Sequence, residues 1–232
     1  MADTRAMTHP LDNVVWSALT SVHAPLARGG ALARRYPPKI ARFAALCADS
    51  PAARAELAGI VAPGEEVALV ALGEADPGEA FEVLVRKQLV QMIAPAFGGA
   101  PRDSSRFESL GDADIPQMLA LAEATKPGPF QERTIDFGGF LGHKVDGRLV
   151  AMGGRRLRLA GFTEVSGICT DPGYRGQGLA RDLVLIVGGG IVAEGCTPFL
   201  HAFADNTGAI ALYERLGFHV RARPDVILLR RR

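Results

Sequence analysis

Arg175-Gly176-Gln177-Gly178-Leu179-Ala180 stands where a strand hands over to a helix, and its reading decides the fold. Upstream, Glu164-Val165-Ser166-Gly167-Ile168-Cys169-Thr170 reads as a buried strand, broken by Asp171-Pro172-Gly173. Downstream, Leu179, Leu183, Ile186 and Val187 recur at helical spacing. A glycine-rich turn opening a helix lets several backbone N–H groups converge on one anion, and the helix dipole adds attraction. Such a turn suits phosphate. A nucleoside-triphosphate loop is excluded by the missing Lys-Ser/Thr pair, and the dinucleotide fingerprint Gly-x-Gly-x-x-Gly fails at Arg181.

A second stretch has the order strand, Asn, amphipathic helix, Gly stop. It runs from Pro198-Phe199-Leu200-His201-Ala202-Phe203-Ala204 through Asn206 and Tyr213 to Gly217-Phe218. Together the two stretches resemble the GNAT superfamily of acyl-CoA-dependent N-acetyltransferases. The first matches that family's acyl-CoA loop, Arg/Gln-x-x-Gly-x-Gly/Ala, at Arg175, Gly178 and Ala180. The second is similar to the family's closing helix, whose Asn and Tyr face the cofactor. With the flanking strands the resemblance covers roughly the last 125 residues. Glu164–Thr170 with Phe199–Asn206 looks like the branch related to glycine N-acyltransferases, which also carry a preceding N-terminal domain. Glycine as acceptor does not follow from this.

The chain of 232 residues can bury a substantial core as one large domain or two small ones. A net charge of +1 makes no electrostatic case for nucleic acid. Only Arg230-Arg231-Arg232 is a basic run, expected to be a frayed tail. No apolar stretch reaches the roughly 20 residues that span a membrane, and Asp3, Arg5 and His9 interrupt any signal core. Cys47, Cys169 and Cys196 are odd in number without metal-like spacing, and the histidines are scattered, so no metal is expected. The expectation is a reduced, cytoplasmic protein.

Phe97 to Ser105 combines Gly, Pro and small polar residues and reads as a linker. It divides an N-terminal α/β domain, residues 1–100, from a GNAT domain, residues 101–232. In the first, Arg54 to Ile60 reads as a helix with Pro51 near its start, Val67 to Leu72 and Phe81 to Ile93 as strands, and Trp16 as the anchor of a small core. This domain is expected to pack on the acceptor side. In the second, Arg106 to Leu110 opens a mixed α/β layout, with a helix capped by Asp112 or Asp114 and running to Glu123. Asp146-Gly147 marks a hairpin between Phe140–Val145 and Arg148–Gly153, and a second turn falls near Ala160-Gly161. Two strands end the chain. The resemblance implies a central mixed, splayed sheet flanked by helices. Gly188-Gly189-Gly190 interrupts the long helix, where each Gly costs about 0.5–1 kcal/mol against Ala; either a kink or the close approach of another backbone would account for it.

N-acetyl transfer needs a neutral amine, a positioned thioester, an oxyanion donor and a proton for the leaving thiolate. An alkyl ammonium has a pKa near 10.4, so a base must act at neutral pH. Glu164 is the candidate, its place resembling that of the catalytic glutamate in GNAT histone acetyltransferases; alternation puts it on one face with Ser166, Ile168 and Thr170. The resemblance further implies that Ile168, Cys169 and Thr170 hold the pantetheine arm through their backbone. Cys169 is read as a small buried residue rather than a nucleophile. Arg175, Gly176, Gln177, Gly178, Leu179, Ala180 and Arg181 would bind the pyrophosphate, Asn206 would cap its helix and reach the pantetheine, and Tyr213 would be the general acid. His201 reads as core or pocket lining, while His143, Arg148, Arg155 and Arg156 lie near the central strands without identifying an acceptor.

The expected activity is transfer of an acetyl group from acetyl-CoA to a small-molecule amine, directly and in a ternary complex. Two other readings stand beside it, acetylation of a protein amine and a silent acyl-CoA-binding module. Neither nucleic acid nor membrane is an expected partner, and monomer and homodimer are both open.

Overall fold

The computed structural model describes residues 9–73 and 75–232. Asp3 and Arg5, which interrupt a signal core in the sequence, lie outside the described residues. By its internal contacts the chain forms two units. The first takes the residues up to Pro37, Arg42–Leu89 and Arg223–Arg232; the second takes Pro38–Ala41 and Val90–Ala222. This differs from a single cut at residue 100, because one strand is shared and the last strand belongs to the first unit.

The first unit holds α1 (Val14–Leu19), a three-stranded antiparallel sheet of β1 (Arg28–Gly29), β2 (Ala33–Arg35) and β3 (Ala44–Leu46), and α2 (Pro51–Ile60). Ser50 caps α2, its hydroxyl accepting from the Ala53 N–H at 3.2 Å, with Pro51 where no donor is needed. Next come β4 (Glu66–Ala71) and β5 (Phe81–Ile93). The C-terminal strand, Asp225–Arg231, lies between β4 and the first part of β5, antiparallel to both. The arginine tail is therefore not frayed. Ile227 and Leu229 are buried on alternate positions, and Arg231 lies over the Phe81 ring while donating to the Ala58 carbonyl. Trp16 does not anchor this core. Its half-buried ring carries the Arg34 guanidinium at 5.5 Å, while Val14, Val15, Ala18 and Leu19 are the buried residues of α1.

The second unit contains β6 (Glu108–Ser109), α3 (Ile115–Thr125), β7 (Leu141–Val145), β8 (Arg148–Leu159), β9 (Phe162–Thr170), α4 (Leu179–Ala193), β10 (Thr197–Phe203), α5 (Thr207–Arg215) and β11 (His219–Ala222). The first strand is shorter than its sequence suggests because Ser104–Arg106 winds into a 3₁₀ turn capped by Asp103. Neighbouring strands from β6 to β9 pair antiparallel, and β10 joins β9 in parallel. Asp146 and Gly147 both take positive φ, 50° and 77°, which a two-residue hairpin turn of matching twist requires. Residues 91–93, the end of β5, pair with β11 and stand between it and β10. The strand after β11, β12 (Asp225–Arg231), is the one already placed in the first unit.

Helix α3 covers one face of β8 and β9, with Met118, Leu121 and Ala122 against Phe140, Met152 and Cys169. Helix α4 covers the other, with Leu179 and Leu183 against Val150 and Ala151, and Val184, Val187 and Ile191 against Val165 and Leu200. Val90, Met92, Ala94 and Phe97 complete that second core.

The triple glycine does not break α4. No neighbouring backbone accounts for it; side chains stand in the space at two of the three positions. A Cβ on Gly188 would meet the Phe97 ring at 2.5 Å, and one on Gly190 the Arg155 guanidinium at 2.9 Å, whereas Gly189 faces nothing within 4 Å. Gly189→Ala should stabilise the protein by about 0.5–1 kcal/mol, having helical backbone and open space. Gly188→Ala should destabilise it by about 1–3 kcal/mol, because the buried Phe97 ring must shift. Paired denaturant titrations test this; equal effects of the two substitutions would refute it.

Candidate active site

Strand β9 separates from β10 part-way along its length. The parallel register runs Thr197–Phe162, Pro198–Thr163 and Phe199–Glu164 and stops there, although both strands continue. From Val165 to Thr170 the edge of β9 facing β10 has no ladder, so its main-chain groups can pair with an extended ligand. Ile168, Cys169 and Thr170 lie on this free stretch. The Thr170 hydroxyl oxygen is buried without a hydrogen-bond partner among the described residues, a group that a ligand's amide could satisfy.

Alternation along β9 does not survive Gly167. Its φ of 66° makes a bulge, since Ser166 opposes Gly154 while Cys169 opposes Met152. Beyond the bulge the faces exchange. Cys169 joins the α3 side and Ile168 packs with Leu179 and Leu183 on the α4 side, so Ile168 does not share a face with Glu164 as expected. Phe140 explains the glycines nearby. A Cβ on Gly154 would approach its ring at 2.6 Å and one on Gly167 at 3.0 Å.

At the C-terminal end of β9, Gly176 and Gly178 both take φ of 79°, and Gly178 caps α4. Beta-carbon-bearing residues rarely adopt this conformation, and a Cβ at Gly176 would face open space. The first-turn N–H groups of α4, from Leu179 to Arg181, have no intrahelical acceptor. They point with the dipole out of the turn, and Arg175 stands exposed beside it. The arrangement fits a pyrophosphate. Asn206 accepts from the Ala209 N–H at 3.2 Å as an N-cap, which leaves its amide NH₂ as a donor.

Glu164 is placed differently from a free base. It is fully buried, and its carboxylate accepts from Arg156 Nε and Nη2, both at 2.8 Å, from His201 Nδ1 at 2.7 Å and from the Leu157 N–H at 3.3 Å. Burial alone would raise its pKa, but the Arg156 charge, with the bonds from Arg156 and His201, holds it well below the usual carboxylate range. A carboxylate so deep and so fully engaged is a poor proton acceptor near neutral pH. The polar chain continues inward. Arg221 donates to Gln91 Oε1 at 2.7 Å, which turns the Gln91 amide nitrogen toward His201 Nε2 at 3.1 Å. His201 Nε2 then accepts, so the ring proton sits on Nδ1 and is donated to Glu164. His201 belongs to this buried network.

A pocket opens on the α3 side, lined by Pro127, Gly128, Pro129, Phe130, Thr134, Phe140, Arg156, Ser166 and Gly167. Arg156 therefore ties the buried glutamate to the pocket wall. Neither a carboxylate nor an imidazole is among the lining residues. Sequence reasoning names Arg156 without a role and misses Gln91 and Arg221, because residues so far apart meet only through strand pairing.

Tyr213 lies near Cys169, and burial, with a smaller contribution from that thiol, pushes its pKa up to about 12. Its ring packs edge-on against Phe218. Burial likewise raises the Cys169 thiol to about 11, so it stays protonated. Among the described residues no cluster of His, Cys, Asp or Glu could hold a metal ion, and no helix is long and apolar enough to cross a membrane.

The model of the FR47-like protein family matches residues 141–225. A GNAT-family protein from Novosphingobium aromaticivorans is 40% identical, with a TM-score of 0.89, over 97% of this chain and 99% of its own. A GCN5-related N-acetyltransferase from Kribbella flavida shares the fold at 20% identity and a TM-score of 0.59, over 94% of this chain and 93% of that one. A Drosophila protein does so at 17% and 0.62, over 85% and 73%. No curated protein matches. The splayed β9, its glycine turn and the 40% identical relative along nearly the whole length place this chain in the GNAT family of acetyltransferases.

Proposed function

We propose that the protein transfers an acetyl group from acetyl-CoA directly to the amine of a small molecule. The observation that supports this best is the separation of β9 from β10 after Glu164, ending at the Gly176–Gly178 turn. One ligand could thus be held by a strand edge at its thioester arm and by a helix N-terminus at its phosphates. The bound donor supplies an activated thioester carbonyl; the protein supplies position, hydrogen bonds and exclusion of water. Backbone N–H groups on the free edge of β9, those of Ile168 and Thr170 by alternation, would donate to the developing oxyanion. Cys169, protonated and buried, does not carry the acyl group, which favours direct transfer.

Tyr213 is read as a hydrogen-bond donor to the departing sulfur. Burial raises the phenol, which therefore stays protonated near neutral pH and can donate a hydrogen bond to the sulfur as it leaves. Tyr213→Phe should lower kcat by about 10²-fold while the acetyl-CoA Kd changes little. A drop of less than threefold with chemistry rate-limiting would remove Tyr213 from the reaction.

Glu164 is reassigned from base to positioning residue, acting through Arg156 at the pocket wall. With no general base assigned, the amine is taken to enter as the free base and, as the C–S bond breaks, its proton passes to the departing thiolate, giving amide and free thiol. Incubating the protein with acetyl-CoA and a panel of small amines and peptides, with release of free thiol as readout, tests the reading. Transfer to a small amine supports it, and thiol release with peptides alone would favour a protein acceptor. Acetyl-CoA binding without turnover on any amine would favour the silent module.

A further inference from the structure

We propose that Arg102 is a binding residue for the pyrophosphate of the acyl-CoA, carried there by a strap, residues 97–102, laid along one face of α4. This rests on the acyl-CoA reading above. The strap touches the helix turn by turn toward its N-terminus. The Phe97 ring lies where a Gly188 side chain would be, at 2.5 Å. Gly99, with φ of 110°, comes so close that a Cβ there would stand 3.3 Å from Leu185. The Ala100 carbonyl accepts from Arg181 Nη2 at 3.4 Å. The Arg102 N–H donates to Asp182 Oδ1 at 3.1 Å. Positions 188, 185, 181–182 and 178 fall three or four apart, which is one face of a helix. The last contact puts the Arg102 guanidinium over the glycine turn, its Nη1 at 3.4 Å from where a Gly178 Cβ would be.

Two features indicate that this placement serves a ligand. Asp182 is fully buried in the first turn of α4, and its Oδ1 is shared by the Arg102 N–H and Arg181 Nη1 at 2.7 Å. The carboxylate is thus a latch for the strap's backbone; Arg181 meets its Oδ1, while Oδ2 is buried with no hydrogen-bond partner among the described residues. The Arg102 side chain, by contrast, is exposed and has no hydrogen bond or ion pair among the described residues. An unpaired guanidinium is held beside outward-pointing N–H groups, where a doubly charged pyrophosphate would accept from both in a charge-assisted fork. In sequence this segment reads as a linker because its Gly-Gly-Ala-Pro composition resembles one.

Calorimetry of the full chain with CoA and with dephospho-CoA, at low and moderate salt, tests this. Arg102→Ala should raise Kd about tenfold or more for both ligands and flatten the salt dependence, and Arg102→Lys should recover only part of the loss. Asp182→Asn should weaken binding in the native background and have little further effect beside Arg102→Ala. Should that variant fail to fold, the exposed Arg102 substitutions decide alone. An Arg102→Ala Kd within twofold of the native value, with native binding intact, overturns the proposal. So does a loss confined to CoA, which would put Arg102 on the 3′-phosphate. Native protein that binds neither ligand would instead overturn the acyl-CoA reading itself.

Discussion

A chain beginning at Pro101 is expected not to fold. In a self-contained domain the removal of a preceding segment would be tolerated, but here residues 90–97 are part of the second unit's own core. Val90, Met92 and Ala94 are at most 1% exposed, and Phe97 is 9% exposed against Phe218 and Gly188. Losing large buried side chains costs about 2–5 kcal/mol each, and a domain's whole stability is about 5–15 kcal/mol. Removal would also leave β10 and β11 without the strand between them, as open edges that invite aggregation. Circular dichroism and thermal unfolding of the purified fragment are the measurement. A soluble fragment with a cooperative transition near that of the full chain would disprove it. A fragment from Val90 to Ala222 keeps the strand and should retain a cooperative transition that the shorter one lacks.

The second large effect concerns Glu164. Glu164→Gln should destabilise the protein by about 3–5 kcal/mol, because it breaks a buried, doubly hydrogen-bonded ion pair with Arg156. The acid limb supplies a second readout. Since the carboxyl is held below its ordinary value in the folded state, its stabilisation is fully present above the unfolded pKa of about 4.3 and is lost as pH falls toward the folded value. Below about pH 4.5 the native protein should therefore lose stability more steeply than the Gln variant. Activity separates the roles further. If Glu164 were the base, kcat/KM would lose its acidic limb on substitution. If it positions Arg156, the limb should stay, set by the acceptor amine's own pKa, while KM for the acceptor rises. Disappearance of the limb in a folded Gln variant would restore Glu164 as base.

The elements whose signals are local are legible in the amino-acid sequence. Asp146-Gly147 forms its turn because both residues tolerate positive φ, and Phe81–Ile93 is a strand over the residues that its Val and Leu content marks. The glycine turn at Gly176 and Gly178 and the Asn206 cap are equally local, since each depends on what one residue's backbone or side chain can do within four positions. Whatever depends on which strand pairs with which is not legible there. Val90–Ile93 and Asp225–Arg231 are short apolar stretches like those of any strand, and only sheet formation sends the first to stand beside β10 and the second beside β4. The bulge at Gly167 turns a simple alternation rule against Ile168, because one extra residue exchanges the faces beyond it. Glu164 shows the same limit in its chemistry. A glutamate in that place can be a base or an anchor, and the choice is made by Arg156, eight residues away on the neighbouring strand, and by His201 on another. The sequence by itself determined the turns, the Asn206 cap and the family motifs, but not the cap expected at Asp112 or Asp114, since the Asp114 carboxylate accepts from Gly111 and Lys144 instead. Tertiary structure alone decided strand partners and charge partners, because those energies arise between segments that local sequence does not connect.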